Sequence, residues 1–497
     1  MSVTANTGMS TTTPPEAGVG ALLDKESSHD TTIVDLTRSP RHNRDLLTVP
    51  HWRQSVKISI VAGGSLRLPV LVRGFADRAQ DLGLSEISVF EPDPRLATAM
   101  QRVCTAGPAG AAQGLALTWA PTIRSSLLDT SFVIAAMEVG GDHMRTLDQQ
   151  VCAAMQVPLY ETAGAASFAE AVRTIPAALQ LAAALRDTAP EAWLINLTDP
   201  PGIIVQAMLT HGAVHTVVGL TETPATVRTA LATLLEAHPE DIVLDWYGLS
   251  HLGFLKAVSI LGRDVLPHVL AMTDGLPELR ALTPFSSAFL QQAGYLPGPE
   301  VWDYVFRHEA PLVLEPGGGT VRERIEALGV GLLEDLEAPH SDASALYDAY
   351  RRACEAARPA DTWHAAAPPS PEEVLAATAA QVLEALAGKR DSVLPVDTLN
   401  RNALPMLAPD DVVEVPCAIT EHLVRPLAVG PIDSASRLLI EQVKLYERSL
   451  IDAVVYRDLD SLISALSLSP LIPSPDCARA LVQAFREQEA PYFDGFR

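Results

Sequence analysis

The run VKISIVA at residues 56–62, followed at once by Gly63, Gly64 and Ser65, constrains the fold more than any other feature of this chain. Its residues are β-branched or apolar on both faces, which suits a strand of a parallel sheet covered on both sides by helices. The next stretch, LRLPVLVRGFADRAQDLG (66–83), predicts a helix with Pro69 in its first turn and Leu71, Phe75 and Leu82 on one face. Strand, glycine turn and helix in that order present free backbone N–H groups to a phosphate. SEISVFEPD (85–93), LALTWA (115–120) and TSFVIAAM (130–137) predict further strands, so the expected class is α/β with a doubly wound N-terminal sheet.

Further along, helical patterns fall near 144–155 and 168–187, and strands within 191–200 and 215–224. The segment 242–255 predicts a strand pair, and 265–370 reads as helical and interrupted by prolines. A helix over 371–388, a strand over 410–419 and helices over 433–457 and 475–489 complete the pattern. The expected organisation is a polar tail over 1–55, a Rossmann-like NAD-binding domain over 56–222, and a helix-rich α+β domain for substrate, metal and oligomerisation over 223–497.

Charge narrows the partners. The formal net charge is −24, and the five lysines, Lys25, Lys57, Lys256, Lys389 and Lys444, form no basic stripe. Nucleic acid is therefore not expected as a partner, because its binding requires cations that displace counterions from phosphates. No uninterrupted run of eighteen apolar residues occurs, which argues against a membrane partner. Five scattered cysteines with no CxxC spacing, and no signal-like N-terminus, point to a cytoplasmic protein without a disulfide framework.

Gly63 and Gly64 let the backbone approach a pyrophosphate, Ser65 adds a hydroxyl, and Glu91 closes the second strand where an acid binds a ribose hydroxyl. The third glycine of a GxGxxG pattern is missing, so a ligand-free turn is an equal reading of these residues alone. Wider agreement comes from ordered blocks: KISIVAGGSLRLPVLVRGFADR (57–78), DTSFVIAAMEVGGDHMRTLDQQ (129–150), AVRTIPAALQLAAAL (171–185) and EAWLINLTDPPGIIVQAM (191–208). VVGLTETP (217–224), YGLSHLGFL (247–255), NALPMLAPDDVVEVPCAI (402–419) and 443–472 follow. Together they resemble glycoside hydrolase family 4, the NAD- and metal-dependent enzymes that cleave 6-phosphoglucosides and galactosides.

The resemblance implies a cytoplasmic glycosidase acting on a small-molecule glycoside, assembled as a dimer or tetramer. It implies NAD held by Gly63, Gly64, Ser65, Glu91 and Asn196 as a redox partner. The sugar is oxidised at C3, loses its C2 proton to a base, eliminates the aglycone, adds water and is reduced again. A divalent metal, manganese, is implied at His251 and Thr221; Arg145 and Asp199 are implied as substrate contacts, and Tyr304 and Asp199 as catalytic groups. Arg145 and Asp148 lie three residues apart on a predicted helix, where they face one cleft or form a surface ion pair.

Several positions depart from the family pattern. Thr221 stands where a metal-binding cysteine is expected, and a hydroxyl is a poor substitute for a thiolate. Asp199 replaces an asparagine, and either becomes a new ligand or base or simply alters recognition. Glu138 replaces an arginine, a change that repels an anionic substrate group. Within LPGPEVWDY (296–304) only Tyr304 remains of a tyrosine-rich segment, while Glu300 and Asp303 offer carboxylates as alternative bases. Two other readings stay open: an NAD-dependent sugar oxidoreductase, and a catalytically inactive relative repurposed for binding or regulation.

Overall fold

β1 (Val56–Val61) lies at the centre of the N-terminal sheet, with Ile58 and Ile60 buried on one face and Ser59 and Val61 on the other, as a strand covered on both sides requires. The computed structural model describes residues 55–107, 114–160, 162–272, 283–306, 319–357 and 370–497. The expected tail falls on 1–54, outside the described residues. β2 (Leu84–Phe90), β3 (Ala116–Trp119), β4 (Phe132–Ala135), β5 (Trp193–Asn196) and β6 (Val217–Gly219) are parallel to β1. Their spatial order is β3-β2-β1-β4-β5-β6. This is the doubly wound order whose direction reverses between β1 and β4, and ligands bind outside the carboxyl ends of the strands at such a switch point.

The sheet does not stop at β6. β7 (Ile242–Leu249), β8 (Leu252–Ile260), β9 (Arg263–Asp264), β10 (Leu296–Pro297), β11 (Ser392–Leu399), β12 (Val412–Thr420) and β13 (Leu423–Pro426) extend it through antiparallel pairings. The path continues β6-β11-β12-β7-β8-β10. The division expected at 222/223 thus falls inside one sheet, where Gly219 of β6 pairs with Asp397 of β11. A Cβ on Gly219 would meet the Asp397 carboxylate at 2.8 Å and Val205 at 2.9 Å, so only glycine fits this junction.

Three features differ from the sequence expectation. Helices Pro94–Ala106 and Ile123–Leu127 separate strands that the pattern placed consecutively. β11 was not expected, because Pro395 interrupts its apolar run. A helix Leu459–Leu468 stands between the two C-terminal helices. Its neighbour Ser434–Tyr456 packs against it, as does Pro475–Gln488.

Helix Gly164–Thr188 is apolar and long enough to cross a membrane, but it is a core helix: 72% of its apolar window is buried within the fold. It also carries Arg173, whose guanidinium is fully buried. Nη2 donates to Asp148 Oδ2 at 2.7 Å, Nη1 to Glu489 Oε2 at 3.2 Å, and Nε to the Val139 carbonyl at 2.8 Å. Burial, reinforced by the charge of Asp148, pushes the Glu489 carboxyl upward. Arg173 and Asp148 are therefore a desolvated pair that pins the end of β4 to the C-terminal helix. Arg173→Met leaves Asp148 buried and unpaired, and is expected to cost about 3–5 kcal/mol, read as a lowered urea midpoint.

Candidate active site

The carboxyl ends of β1, β4, β5 and β6 converge with the β7–β8 turn. After β1, Gly64 adopts a positive φ of 97°, and a Cβ there would lie 2.6 Å from the Glu138 carbonyl oxygen. Glycine is thus required for the close approach of this turn to the end of β4. Helix Leu68–Asp77 follows with no side-chain cap and no acid in its first turn, which suits an anion at its start, although Pro69 has no N–H and Val70 N–H donates to the Arg67 carbonyl at 3.0 Å. Ser65 Oγ accepts from the Arg67 N–H at 3.2 Å. Glu91, at the end of β2, accepts from Gly64 N–H and Asp93 N–H, each at 3.0 Å, and so sits against the glycine turn.

Asn196 is fully buried rather than exposed to the cleft. Its amide donates to the Thr198 carbonyl at 3.0 Å and its oxygen accepts from Thr198 N–H at 3.4 Å. It shapes the loop that carries Asp199. Thr198 ties that loop to the end of β4, its hydroxyl accepting from Met137 N–H at 2.9 Å.

A network of ion pairs fills the corner between the glycine turn and this loop. Arg67 Nε donates to Glu138 Oε1 at 2.7 Å, Nη2 lies 3.5 Å from Asp199 Oδ2, and Nη1 lies 3.4 Å from Glu222 Oε1. Arg145 Nη2 donates to Glu170 Oε1 at 2.8 Å and to Asp199 Oδ2 at 3.3 Å, and its Nη1 is 4.0 Å from Glu138. Arg145 therefore faces the site, while Asp148, one helical turn on, faces Arg173; both are buried and neither forms the surface pair weighed above. Burial alone would raise the Glu138 carboxyl, but Arg67 and then Arg145 hold it below the usual range. The repulsion of anions expected from Glu138 is thereby cancelled, since Arg67 supplies the compensating guanidinium across 71 residues of sequence.

His251 lies in the β7–β8 turn at φ 61°. Its Nε2 is 3.9 Å from Asp199 Oδ1 and its Nδ1 is 3.9 Å from Glu300 Oε1, and among the described residues neither nitrogen has a partner within hydrogen-bond distance. Burial lowers its proton affinity, yet Glu300 and then Asp199 override this and raise it to about 9. Thr221 donates its hydroxyl to Glu414, whose other oxygen accepts from Trp246 Nε1 at 2.6 Å. Glu300 accepts from the Thr223 hydroxyl at 2.7 Å.

Tyr304 and Asp303 share the short helix Val301–Val305. Burial, followed by the charges of Glu447, Asp303 and Glu300, pushes the Tyr304 phenol well above its ordinary value. Asp303 is pushed up to about 7 by burial, partly offset by a hydrogen bond from Tyr160 and reinforced by Glu300. Sequence reasoning missed Arg67, Tyr160, Glu170, Glu222, Trp246 and Glu414; the one signal for Arg67 was the charge reversal at Glu138, which demands a nearby cation.

The family model described as Family 4 glycosyl hydrolase matches residues 57–237, and its C-terminal domain matches 246–472. The chain belongs to family 4 of the glycosyl hydrolases. It is 26% identical to a probable 6-phospho-beta-glucosidase of Bacillus subtilis, covering 89% of this chain and 98% of that one. Identity to a 6-phospho-beta-glucosidase of Thermotoga maritima is 23%, covering 88% and 99%. The Thermotoga maritima structure with manganese, NAD+ and glucose-6-phosphate aligns with a TM-score of 0.72 at 23% identity, covering 88% of this chain and 99% of that one. A 6-phospho-alpha-glucosidase from gut microorganisms, solved with NAD and Mn2+, aligns at 0.75 and 18% identity, covering 89% and 100%.

Family 4 membership and the α/β fold agree with the sequence expectation. The residues at β1 and β2 fit a dinucleotide: a glycine cradle that a Cβ would fill, an uncapped helix start and a carboxylate at the end of β2. The residues around His251 fit manganese poorly. Among the described residues no group of three or more His, Cys, Asp or Glu side chains is set to hold a metal. Thr221 brings a neutral hydroxyl already engaged with Glu414.

Proposed function

We propose that this protein is a glycosidase that cleaves an O-glycosidic bond with NAD as its resident redox partner, and that its substrate is an uncharged glycoside rather than a 6-phosphoglycoside. The observation that carries this is the meeting of the glycine turn, the Asp199 loop, Arg145 and His251 at the carboxyl ends of the parallel strands. Bound NAD supplies a hydride acceptor for a sugar carbon and returns the hydride before release.

The chain's own residues supply the rest. Arg145 and His251 donate to sugar oxygens, and Glu138 and Asp199 accept from sugar hydroxyls. Asp303 is the base that takes the acidified carbon-bound proton; a carboxyl near 7 is poised for this at neutral pH. The shift of this role from Tyr304 follows from their surroundings, because burial and then three carboxylates oppose ionisation of the phenol. The preference for a neutral sugar follows from the balance of charge. Arg67 and Arg145 are matched by Glu138, Asp199, Glu170 and Glu222, and a phosphate dianion has to displace a carboxylate to reach either guanidinium.

The test is incubation of the NAD+-loaded protein with paired aryl glycosides, with and without a 6-phosphate, in D2O. Aglycone release from the neutral member, deuterium at C2 of the product and no net NADH are expected. NADH accumulating in step with an oxidised sugar supports the oxidoreductase reading instead, and turnover confined to 6-phosphoglycosides contradicts the substrate assignment.

A further inference from the structure

The donor atoms around His251 do not match the metal that the solved relatives contain. Thr221 gives its hydroxyl proton to Glu414, and the second Glu414 oxygen is taken by Trp246, so this arm of the site closes on itself inside the protein. Asp199, one of two carboxylates 3.9 Å from the His251 ring, has two guanidinium nitrogens on one oxygen, Arg145 Nη2 at 3.3 Å and Arg67 Nη2 at 3.5 Å. Its other oxygen faces the His251 ring. Glu300, on the far side of that ring, is engaged by Thr223 through the oxygen that faces His251. A divalent cation placed among these groups meets one imidazole, the clamped Asp199 carboxylate, the Glu300 carboxylate with one oxygen engaged by Thr223, and one engaged hydroxyl, with two permanent cations close by. Manganese favours carboxylate, carbonyl and water oxygens, and here the Asp199 carboxylate is already held by arginine and one Glu300 oxygen by Thr223.

We propose that this centre carries no resident divalent cation, and that the Arg67–Asp199–Arg145 clamp stands in its place as a fixed set of hydrogen-bond donors facing the sugar oxygens. Arginine suits the role because its guanidinium keeps its charge at all working pH values and presents several N–H donors in a rigid fork. Arg145 Nη2 reaches Asp199 from helix Gly141–Ala154, and Arg67 reaches it from the glycine turn. The donors are thereby built into the protein and do not depend on metal supply. This holds whether or not the sugar assignment above stands, because the decisive readout is metal uptake.

The experiment follows free Mn2+ by electron paramagnetic resonance while it is added to the full chain in the presence of NAD+. The parent protein is compared with the double variant Thr221→Cys/Asp199→Asn, which restores a thiolate and removes the clamped carboxylate. Thr221→Cys alone serves if the double variant does not fold, and unchanged NAD+ affinity reports folding in each case. The expected result is no saturable Mn2+ uptake by the parent, NAD+ affinity indifferent to EDTA, and uptake of one Mn2+ per chain by the variant. Saturable uptake by the parent that is lost in His251→Asn overturns the proposal. Absence of uptake by both proteins overturns the assignment of Thr221 and Asp199 as the residues that exclude the metal.

Discussion

Replacing Gly64 by valine is expected to weaken NAD+ binding roughly a hundredfold. The residue holds φ at 97°, and its missing Cβ would approach the Glu138 carbonyl oxygen to 2.6 Å and the Gly141 Cα to 3.3 Å. A β-branched side chain is strained at that φ by about 1–3 kcal/mol before any clash is counted. Relief of the clash moves the end of β4 away from the glycine turn, and with it Glu138, whose amide donates to the Gly63 carbonyl at 2.9 Å. It also moves the Gly64 N–H that donates to Glu91. Losing about 3 kcal/mol of binding corresponds to roughly a hundredfold in affinity. Calorimetric titration of the variant with NAD+, beside circular dichroism to confirm its fold, checks the expectation.

The second large effect is expected from Asp303→Asn. If Asp303 is the base, its loss lowers kcat by roughly 10²–10⁴-fold, the usual contribution of a positioned general base. The pH profile gives the sign. Asp303 acts as the carboxylate, so activity rises with pH through about 7, where burial and Glu300 have moved its proton, and the asparagine variant loses that limb. Tyr160, which hydrogen-bonds Asp303, modulates the same limb: Tyr160→Phe removes the influence that lowers it, and the limb moves to higher pH. Tyr304→Phe is expected to leave kcat within about tenfold, the change of a packing residue and not of a base. A reversed pattern, with the Tyr304 variant inert and the Asp303 variant active, returns the role to Tyr304.

The legible part of this fold was the part whose signals are local. β1, its glycine turn and the following helix could be read because one short window holds a doubly apolar strand, Gly63–Gly64 and Pro69. β11 was illegible for an equally local reason, since Pro395 argues against a central strand. The structure resolves this by setting Pro395 opposite Pro416 of β12, so that the two residues lacking N–H donors share one rung of the ladder. The candidate site was legible where a residue type stood in a matched block, as at Arg145, Asp199 and His251. It was illegible where function depends on pairing across long sequence separations. Arg67 and Glu138 are 71 residues apart, and Thr221 and Glu414 are 193 apart. A single sequence carries no trace of such partners beyond an unexplained charge. Asn196 shows the converse, a residue in a matched block whose amide turns inward to shape a loop.

The doubly wound half of this chain is expected to hold NAD at the glycine turn beside the Asp199 loop. Titration calorimetry of the intact protein with NAD+ tests it most directly, run in EDTA and repeated with Mn2+. Saturable binding of one NAD+ per chain is expected, the same in both buffers and weakened roughly a hundredfold in Gly64→Val. A folded protein that takes up no NAD+ in either buffer contradicts it.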